Sequence, residues 1–278
     1  MSARAGDGLN AVEVRGLSKV FNAGRPDAVE ALADIDLVIR PGEFVSLIGP
    51  SGCGKSTQLR LIANLTEPTT GAVLVNGKPA RAARLDQDYG MAFQQAGLFE
   101  WRSVAKNVEL PLELKGWDKA KRRSRALEML ELVKLSEFAQ RFPWQLSGGM
   151  QQRVAIARAL AAHPPLLLMD EPFGALDEMT REHMQTELLR ICGETSTTVV
   201  FVTHSIPEAV FLSTRVVVMS PRPGRITDVV DVALGSERSV DTRESEAFFA
   251  KVTEVREALR GIQPADVEPD IEQVVEER

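Results

Sequence analysis

The sequence predicts an α/β fold in which a mostly parallel sheet is buried between helices and is interrupted by a helical insert. Short apolar runs of strand length, such as 166–169 and 199–202, alternate with helical stretches. Fully apolar strands that alternate with helices are typical of a parallel sheet covered on both faces. Between residues 104 and 160 the pattern is helical, which predicts the insert. A chain of 278 residues can form one large domain with an appendage.

The composition is that of an ordinary globular protein, with 44% hydrophobic and 26% charged residues. The apolar runs are much shorter than the roughly 20 residues that a membrane-spanning helix needs. The N-terminal run MSARAGDGLN lacks the apolar segment of a secretory signal. We therefore expect a protein that does not span the membrane, is not secreted and works in the cytoplasm.

The net charge of −6 is concentrated at the C-terminus, where residues 262–278 contain six acids and one arginine. The rest of the chain is close to neutral, whereas nucleic-acid-binding domains are usually basic. The basic run at 119–125 fits a solvated helix face, so we expect no nucleic-acid partner. Cys53 and Cys192 are expected to be reduced thiols, because a cross-link at Cys53 would block the glycine-rich loop around it.

Strands dominate the N-terminal part of the chain. The predicted strands are 11–21, 29–39, 44–48, 72–75 and 90–93. The second of them alternates apolar and polar residues, as a half-buried strand does. A helix is predicted at 55–63, and Asn64 can end it because asparagine tolerates the left-handed conformation common at helix ends.

Strands and helices alternate after the insert. The predicted strands are 166–169, 198–203, 215–219 and 225–232, and the predicted helices are 178–191, 207–211 and 245–259. A Pro-Arg-Pro-Gly turn at 221–224 leads into the last strand. The sequence contains no internal repeat, so we expect one copy of the domain. The acidic residues 262–278 predict a partly disordered, solubilising end.

A glycine-rich loop follows the strand at 44–48 and precedes the helix at 55–63. Its residues match the GxxxxGK[ST] phosphate-binding pattern: Gly49, Pro50, Ser51, Gly52, Cys53, Gly54, Lys55, Ser56 and Thr57. The glycines let backbone N–H groups point at phosphate oxygens, and the helix adds the positive end of its dipole. We expect Lys55 to reach the β- and γ-phosphates and Ser56 to hold Mg²⁺. The loop alone indicates a nucleoside triphosphate, because kinases, GTPases and DNA-repair ATPases share it.

Two adjacent carboxylates, Asp170 and Glu171, end the apolar strand that begins at Leu166. Consecutive strand residues point to opposite sides, so the sequence predicts different tasks for the two acids. Asp170 is expected to hold Mg²⁺ through its water shell, and Glu171 to orient and deprotonate the attacking water. An acidic strand end alone is a common surface feature, but the phosphate loop in the same chain favours the catalytic interpretation.

A second phosphate-binding device is predicted at the helix start in Leu-Ser-Gly-Gly-Met-Gln-Gln-Arg, residues 146–153. Ser147, Gly148 and Gly149 place a hydroxyl and free N–H groups at the positive end of a helix. Two such devices with one nucleotide loop are explained if two copies pair head to tail. The run resembles the signature motif of ABC ATPases. The ATP-sandwich dimer of that family implies that Ser147 and Gly149 cap the ATP held by Lys55 of the other copy.

The resemblance extends to four further positions. Phe21 matches the aromatic residue that stacks on adenine, and Gln94 matches the glutamine that contacts Mg²⁺ or water. Asp177 matches the D-loop that crosses the dimer interface, and His204 matches the switch histidine that contacts the γ-phosphate. The resemblance thus implies Glu171, His204 and Gln94 as catalytic residues, with ATP and Mg²⁺ as cofactors.

The resemblance covers residues 11–232 and implies the ABC ATPase fold. This fold combines a P-loop NTPase core with a mostly parallel sheet, an antiparallel β subdomain and an inserted α-helical subdomain. We place the nucleotide-binding domain at 1–235, with the insert at about 95–160. A C-terminal helix and the acidic tail then occupy 236–278.

Three positions depart from the family pattern. Gln58 stands where leucine is common, Asn64 where glycine usually ends the helix, and Ser205 where many members carry aspartate. None of them is a predicted phosphate or metal contact. Ser205 and Glu208 still form a capping-box pattern, so we expect serine to be a neutral replacement at this helix start.

Further runs resemble those of bacterial importers. Residues 93–104 look like the segment of importer ATPases that touches permease coupling helices, and 174–182, 209–212 and 220–226 are similar to the nitrate/sulfonate/taurine group. The resemblance implies a peripheral ATPase on the cytoplasmic face of the membrane that powers uptake of a small anionic solute. Its partners would be a second ATPase subunit in a homodimer and transmembrane permease subunits, with a periplasmic or extracellular solute-binding protein acting indirectly.

Two other classes of protein use the same phosphate loop. A soluble ABC ATPase without transport, in nucleic-acid or ribosome work, is the alternative. Such proteins usually carry long coiled coils or two nucleotide domains, and the sequence predicts neither. A small-molecule kinase would need an acceptor site and would leave the signature and switch positions unexplained.

Overall fold

The computed structural model describes residues 9–235 and 238–261, so the acidic tail predicted at 262–278 lies outside the described residues. Ten strands lie in the described ranges: β1 (Val12–Phe21), β2 (Val29–Ile39), β3 (Phe44–Ile48), β4 (Thr70–Val75), β5 (Lys78–Pro79), β6 (Tyr89–Ala92), β7 (Leu166–Asp170), β8 (Thr198–Val202), β9 (Arg215–Met219) and β10 (Ile226–Asp231). Nine α-helices lie there too: α1 (Lys55–Ile62), α2 (Ala80–Leu85), α3 (Val104–Leu114), α4 (Lys119–Leu132), α5 (Gly148–Leu160), α6 (Glu178–Thr195), α7 (Ile206–Leu212), α8 (Val240–Arg243) and α9 (Glu246–Arg260).

The strands form two sheets. A six-stranded sheet has the order β10-β9-β3-β8-β7-β6 and is parallel except for its edge strand β10, which runs antiparallel to β9. A four-stranded antiparallel sheet has the order β2-β1-β4-β5. These sheets agree with the predicted mostly parallel core and separate antiparallel subdomain.

Both faces of the six-stranded sheet are buried. On β3, Val45 and Leu47 pack in one apolar cluster with α1 and the antiparallel sheet. Phe44 and Ile48 point the other way and pack in a second cluster with the insert, α6, α7 and α9. Alternate strand residues therefore belong to different clusters, as the two-residue period of a strand requires. This burial explains why the strands are apolar runs without polar alternation.

The insert consists of α3, α4 and α5, which contact one another. Glu109 on α3 is fully buried, and its carboxylate is 2.6 Å from Nζ of Lys106. Two arginines of α4 also approach it, Arg122 at 3.6 Å and Arg123 at 3.5 Å. A buried carboxylate needs such partners, because losing its water shell would otherwise be costly. This ion cluster therefore joins the first two helices of the insert.

The predicted elements are present with small shifts at their ends. The helix predicted at 178–191 continues to Thr195, and the strand predicted at 90–93 lies one residue earlier. The six-residue α2 was not predicted, because so short a helix shows too little periodicity to be recognised. Among the described helices, none combines the length and the apolar character needed to cross a membrane.

Candidate functional site

The phosphate loop joins β3 to α1 at the carboxyl end of the parallel sheet. Gly54 has a φ of 97°, and a Cβ atom there would lie 2.6 Å from Cδ2 of Leu32. A Cβ atom on Gly49 would lie 2.7 Å from the carbonyl oxygen of Met219. Both distances are too short for a side chain, so glycine lets the loop lie directly against β2 and β9.

Lys55, the first residue of α1, points its ammonium group back into the loop. Its Nζ donates hydrogen bonds to the carbonyl oxygens of Gly49, at 2.8 Å, and Pro50, at 2.9 Å. The side chain is buried, so the charge is held where the loop encloses it. This is the position from which a lysine can contact phosphate oxygens.

Cys53 belongs to the loop and is fully buried, with Nζ of Lys55 at 3.6 Å from its sulfur. Burial raises the pKa of this thiol above its ordinary value. Cys192 on α6 is also a free, buried cysteine, and burial raises its pKa to about 12. Both groups therefore remain protonated thiols near neutral pH, as expected for structural cysteines.

Ser56 and Asp170 bring two oxygen ligands together beside the loop. The Ser56 hydroxyl donates a 2.8 Å hydrogen bond to Oδ1 of Asp170. Burial raises the pKa of Asp170, the neighbouring Glu171 carboxylate raises it further, and the hydrogen bond from Ser56 opposes both effects. A cation beside Asp170 is thus favoured, because it would stabilise the charged form of this carboxylate. Mg²⁺ usually takes one or two protein oxygens together with waters and substrate phosphates, so these residues fit the ion.

Glu171 does not continue β7, and the sequence argument from strand alternation was wrong for it. The strand ends at Asp170, and Glu171 has a φ of 45°, in the left-handed region. Its N–H donates to the carbonyl oxygen of Val202 at 2.9 Å, which holds the turn on β8. Its Oε2 lies 3.3 Å from Nδ1 of His204, whose side chain is 71% exposed. The two acids still face different groups, but the cause is the backbone turn at Glu171 and not the alternation of strand residues.

Six residues of the phosphate loop, together with Phe21, Gln94, Glu171 and His204, line one open cavity of about 690 Å³, which is within the usual range for ligand sites. Its lining is Phe21, Val29, Ala31, Ser51, Gly52, Gly54, Lys55, Ser56, Thr57, Gln94, Glu171, His204 and Arg222. Phe21, at the end of β1, is 41% exposed, and Nζ of Lys19 lies 5.0 Å from the centre of its ring. An exposed ring at the cavity edge is available to stack on a base.

Eight predicted site residues do not line this cavity: Gly49, Pro50 and Cys53 of the phosphate loop, Asp170, and Ser147, Gly148, Gly149 and Asp177. The last four belong to the starts of α5 and α6. Ser147 caps α5 by accepting a 3.3 Å hydrogen bond from the N–H of Met150, and both Ser147 and Gly148 are exposed. A Cβ on Gly149 would lie 3.1 Å from the carbonyl oxygen of Ala175, so this helix start contacts the loop before α6. Asp177 is exposed at the N-terminus of α6. The structure thus joins the signature run to the D-loop, and neither segment lines the cavity of the same chain.

A buried hydrogen-bond network supports the loop that carries His204. Glu208 on α7 accepts a hydrogen bond from the hydroxyl of Thr203 and another, at 2.8 Å, from Nε2 of Gln185. The amide oxygen of Gln185 accepts in turn from Arg243 of α8. Burial raises the pKa of Glu208, and the hydrogen bonds from Thr203 and Gln185 oppose that effect. The loop that carries His204, here called the switch loop (residues 203–205), is therefore connected through α6 to the C-terminal helix α8.

Arg222 also lines the cavity and was not predicted from the sequence. It lies in the turn between β9 and β10, far along the chain from the phosphate loop. Proximity along the sequence gives no signal for such a residue. The pairing of β9 with β3, which carries the loop, and the hydrogen bonds of Gly224 with β2 bring it close.

The described geometry can be compared with known proteins. Residues 32–174 match the family model described as ABC transporter. An uncharacterised ABC transporter ATP-binding protein of Methanocaldococcus jannaschii is 47% identical over 88% of this chain and 90% of its own length. A taurine import ATP-binding protein of Roseobacter denitrificans is 44% identical over 78% and 81%. A nitrate import ATP-binding protein of Synechocystis is 43% identical over 92% and 98%.

A solved structure with the same fold is a dimeric ATP-binding cassette in a post-hydrolysis state, bound to ADP and Pi. It has a TM-score of 0.74 and 38% sequence identity, and the match covers 80% of this chain and 98% of that one. The predicted fold class is thus confirmed.

Proposed function

The chain belongs to the ABC transporter ATP-binding family, and on this premise we propose that it is the ATP-hydrolysing subunit of an importer for a small anion. The observation that carries the proposal is the cavity in which the phosphate loop meets Gln94, Glu171 and His204. The relative named for nitrate import supports an anionic solute, and the one named for taurine import supports a solute with an anionic sulfonate group. The subunit itself need not touch that solute.

ATP occupies the cavity with its base at Phe21 and its phosphates at the loop. The exposed Phe21 ring stacks on adenine. The loop from Gly49 to Thr57 directs N–H groups at the phosphate oxygens, and Lys55 exchanges its contacts with the loop carbonyls for the β- and γ-phosphates.

Ser56, Asp170 and Gln94 would hold Mg²⁺. The hydrogen bond between Ser56 and Asp170 already places two of these groups side by side. The ion supplies charge neutralisation for the triphosphate when bound. Asp170, whose pKa burial raises, is stabilised as a carboxylate by positive charge there.

Glu171 acts as the general base for water. Its turn conformation directs the carboxylate into the cavity, beside Nδ1 of His204 at 3.3 Å. His204 contacts the γ-phosphate, and together with Lys55 it stabilises the charge of the transferring group. Gln94 also lines the cavity and links this chemistry to the insert that follows it.

A second copy of the chain completes the site. Ser147, Gly148 and Gly149, with Asp177, lie together and away from the cavity of their own chain. In a head-to-tail pair they cap the ATP of the partner. The dimeric state of the solved cassette supports this arrangement.

The subunit lies on the cytoplasmic face of the membrane and contacts its permease through the segment after Gln94. This segment carries two exposed aromatic residues, Phe99 and Trp101, whose ring centres are 4.9 Å apart. Arg158 of α5 holds its start by donating to the carbonyl oxygens of Ala96 and Gly97. Closure of the ATPase dimer would thus be passed to the permease, and indirectly to a solute-binding protein outside.

The substitution Glu171→Gln tests the chemical part of the proposal. It keeps the size of the side chain but removes the base, so kcat for ATP hydrolysis should fall by about 100-fold or more. ATP affinity should change little, because the phosphate contacts remain. Steady-state phosphate release and titration calorimetry measure the two quantities.

Glu194→Gln is the matched control, since Glu194 is an exposed acid of α6 that pairs with Arg190. It should hydrolyse ATP at the wild-type rate. Unchanged turnover in Glu171→Gln would remove Glu171 from the role of base.

Detergent extraction of native membranes, followed by affinity capture of this chain and mass spectrometry, tests the transport part. A permease with several membrane spans should be captured in stoichiometric amount, and uptake assays on that complex would identify the anion. Capture of ribosomal or nucleic-acid-bound proteins instead would favour the alternative of a soluble ABC ATPase.

A further inference from the structure

The turn between β9 and β10 is held in one shape by hydrogen bonds of its first and last residues. The N–H of Ser220 donates to the carbonyl oxygen of Arg225 at 2.9 Å, and the N–H of Arg225 donates to the Ser220 hydroxyl oxygen at 3.0 Å. The single proton of that hydroxyl is shared between the carbonyl oxygens of Pro221, at 3.0 Å, and Pro223, at 3.2 Å. The residue between the prolines, Arg222, therefore leaves the turn in a defined direction.

The same turn is attached to the nucleotide site at Gly224. The N–H of Gly224 donates to the carbonyl oxygen of Ala31 at 3.0 Å, and its carbonyl oxygen accepts from the N–H of Ala33 at 3.1 Å. A Cβ atom on Gly224 would lie only 2.0 Å from the carbonyl oxygen of Cys53 in the phosphate loop. Such contact excludes any side chain at this position, so the turn lies directly on the outer side of the phosphate loop.

Arg222 extends from this turn along the loop. Its Nη2 lies 3.2 Å from the point where a Cβ on Gly52 would be, and the residue lines the nucleotide cavity. The lysine and arginine side chains of that lining are Lys55 and Arg222, beside the imidazole of His204 and against the acid Glu171. No ion pair formed by the described residues includes Arg222.

We propose that Arg222 is a phosphate-binding residue of the ATP site, supplied by the β9–β10 turn. The inference rests on the proposed function, which puts a triphosphate in the cavity. A guanidinium group remains charged at any working pH and matches phosphate oxygens with parallel N–H donors. Held beside Gly52, it adds a second cation to the charge that Lys55 provides.

The chain offers a matched control in the same turn. Arg225 is exposed like Arg222 but does not belong to the cavity lining. Arg222→Gln and Arg225→Gln remove the same charge from the same surface. A general effect of net charge would appear in both variants, and a phosphate contact in the first alone.

Titration calorimetry of the full chain with ATP and with ADP, at low and high salt, tests the inference. Arg222→Gln should lower the affinity for both nucleotides by about tenfold at low salt, which is the effect expected from the loss of one charge-assisted hydrogen bond at an open site. Because a phosphate contact is lost, affinity should also depend less steeply on salt than in the wild type. Arg222→Lys should recover part of the affinity, and Arg225→Gln should match the wild type.

Equal affinities and salt slopes in Arg222→Gln and the wild type would overturn the inference. So would a defect confined to ATP-dependent dimerisation in sedimentation velocity, since it would place Arg222 against the second copy instead. Thermal unfolding without nucleotide checks that the variants are folded. Failure of the proposed function is a separate result, because then the wild-type chain itself would neither bind nor hydrolyse ATP.

Discussion

The direction of the Glu171 carboxylate depends on one backbone conformation. A φ of 45° is uncommon for a residue with a side chain, and here the hydrogen bond to Val202 and the turn to Gly174 maintain it. Such strained residues concentrate at functional sites. Asp170, one residue earlier, remains in the strand and faces Ser56. Two adjacent acids therefore face different groups, Asp170 the Ser56 hydroxyl and Glu171 the His204 imidazole.

Ser205 is the residue where the chain departs from the usual aspartate. Its hydroxyl oxygen accepts from the N–H of Glu208 at 3.4 Å, so it caps α7. Ser205→Ala should lower the free energy of unfolding by about 1 kcal/mol, the usual value of such a cap. Ser205→Asp should keep the cap, because a carboxylate is also favourable at a helix start. Urea unfolding measures the loss of stability in Ser205→Ala. ATP turnover of Ser205→Asp should stay near the wild-type value. A many-fold increase would contradict the expectation that serine is a neutral replacement for aspartate here.

At the scale of elements, α6 and α7 hold the switch loop through polar groups that are shielded from water. Glu208 receives hydrogen bonds from Thr203 and Gln185, and Gln185 is 2% exposed. An unpaired group at this depth would be costly, so each member depends on the others. The loop with His204 begins at Thr203 and is therefore positioned by the same contacts.

Gln185→Leu removes both the donor to Glu208 and the acceptor for Arg243. The free energy of unfolding should fall by about 1–3 kcal/mol, the cost of leaving a buried partner unsatisfied. Turnover should fall while ATP affinity changes little, because the switch loop is displaced but the phosphate loop is intact. Thr186→Ala, on the exposed side of the same helix, is the control and should change stability by less than about 0.5 kcal/mol. Wild-type kcat in Gln185→Leu would show that the network is not needed to position His204.

The elements that local sequence determines were predicted well, and those that depend on distant contacts were not. The phosphate loop and α1 follow from glycine positions and a strand–loop–helix order within one short segment. By contrast, the network at Glu208 joins residues from α6, α7 and α8. Arg222 reaches the cavity through the pairing of β9 with β3 and through the contacts of Gly224 with β2. Gln58 is buried with neither amide atom hydrogen-bonded among the described residues, and nothing in the structure explains its choice over leucine.

At the scale of the whole molecule, the C-terminal helices α8 and α9 pack on the ATPase body. Helix α9 contacts α7, β9 and β10, and its Val252 and Val255 are buried in the larger apolar cluster. Arg243 of α8 stacks on the ring of Phe211 at 3.6 Å and joins the network at Gln185. The domain division placed at residue 236 stays a prediction, but these contacts favour cooperative unfolding of α9 with the rest.

Adjacent phenylalanines of α9 test this cooperativity. Phe248 is 4% exposed and belongs to the cluster, whereas Phe249 is 58% exposed. Phe248→Ala should therefore lower the free energy of unfolding of the whole chain by about 3–5 kcal/mol, while Phe249→Ala should change it by less than about 0.5 kcal/mol. Urea unfolding followed by tryptophan fluorescence and by circular dichroism should give coincident transitions in both variants. A separate early transition in Phe248→Ala, with the main one unmoved, would show instead that α9 is an independent appendage.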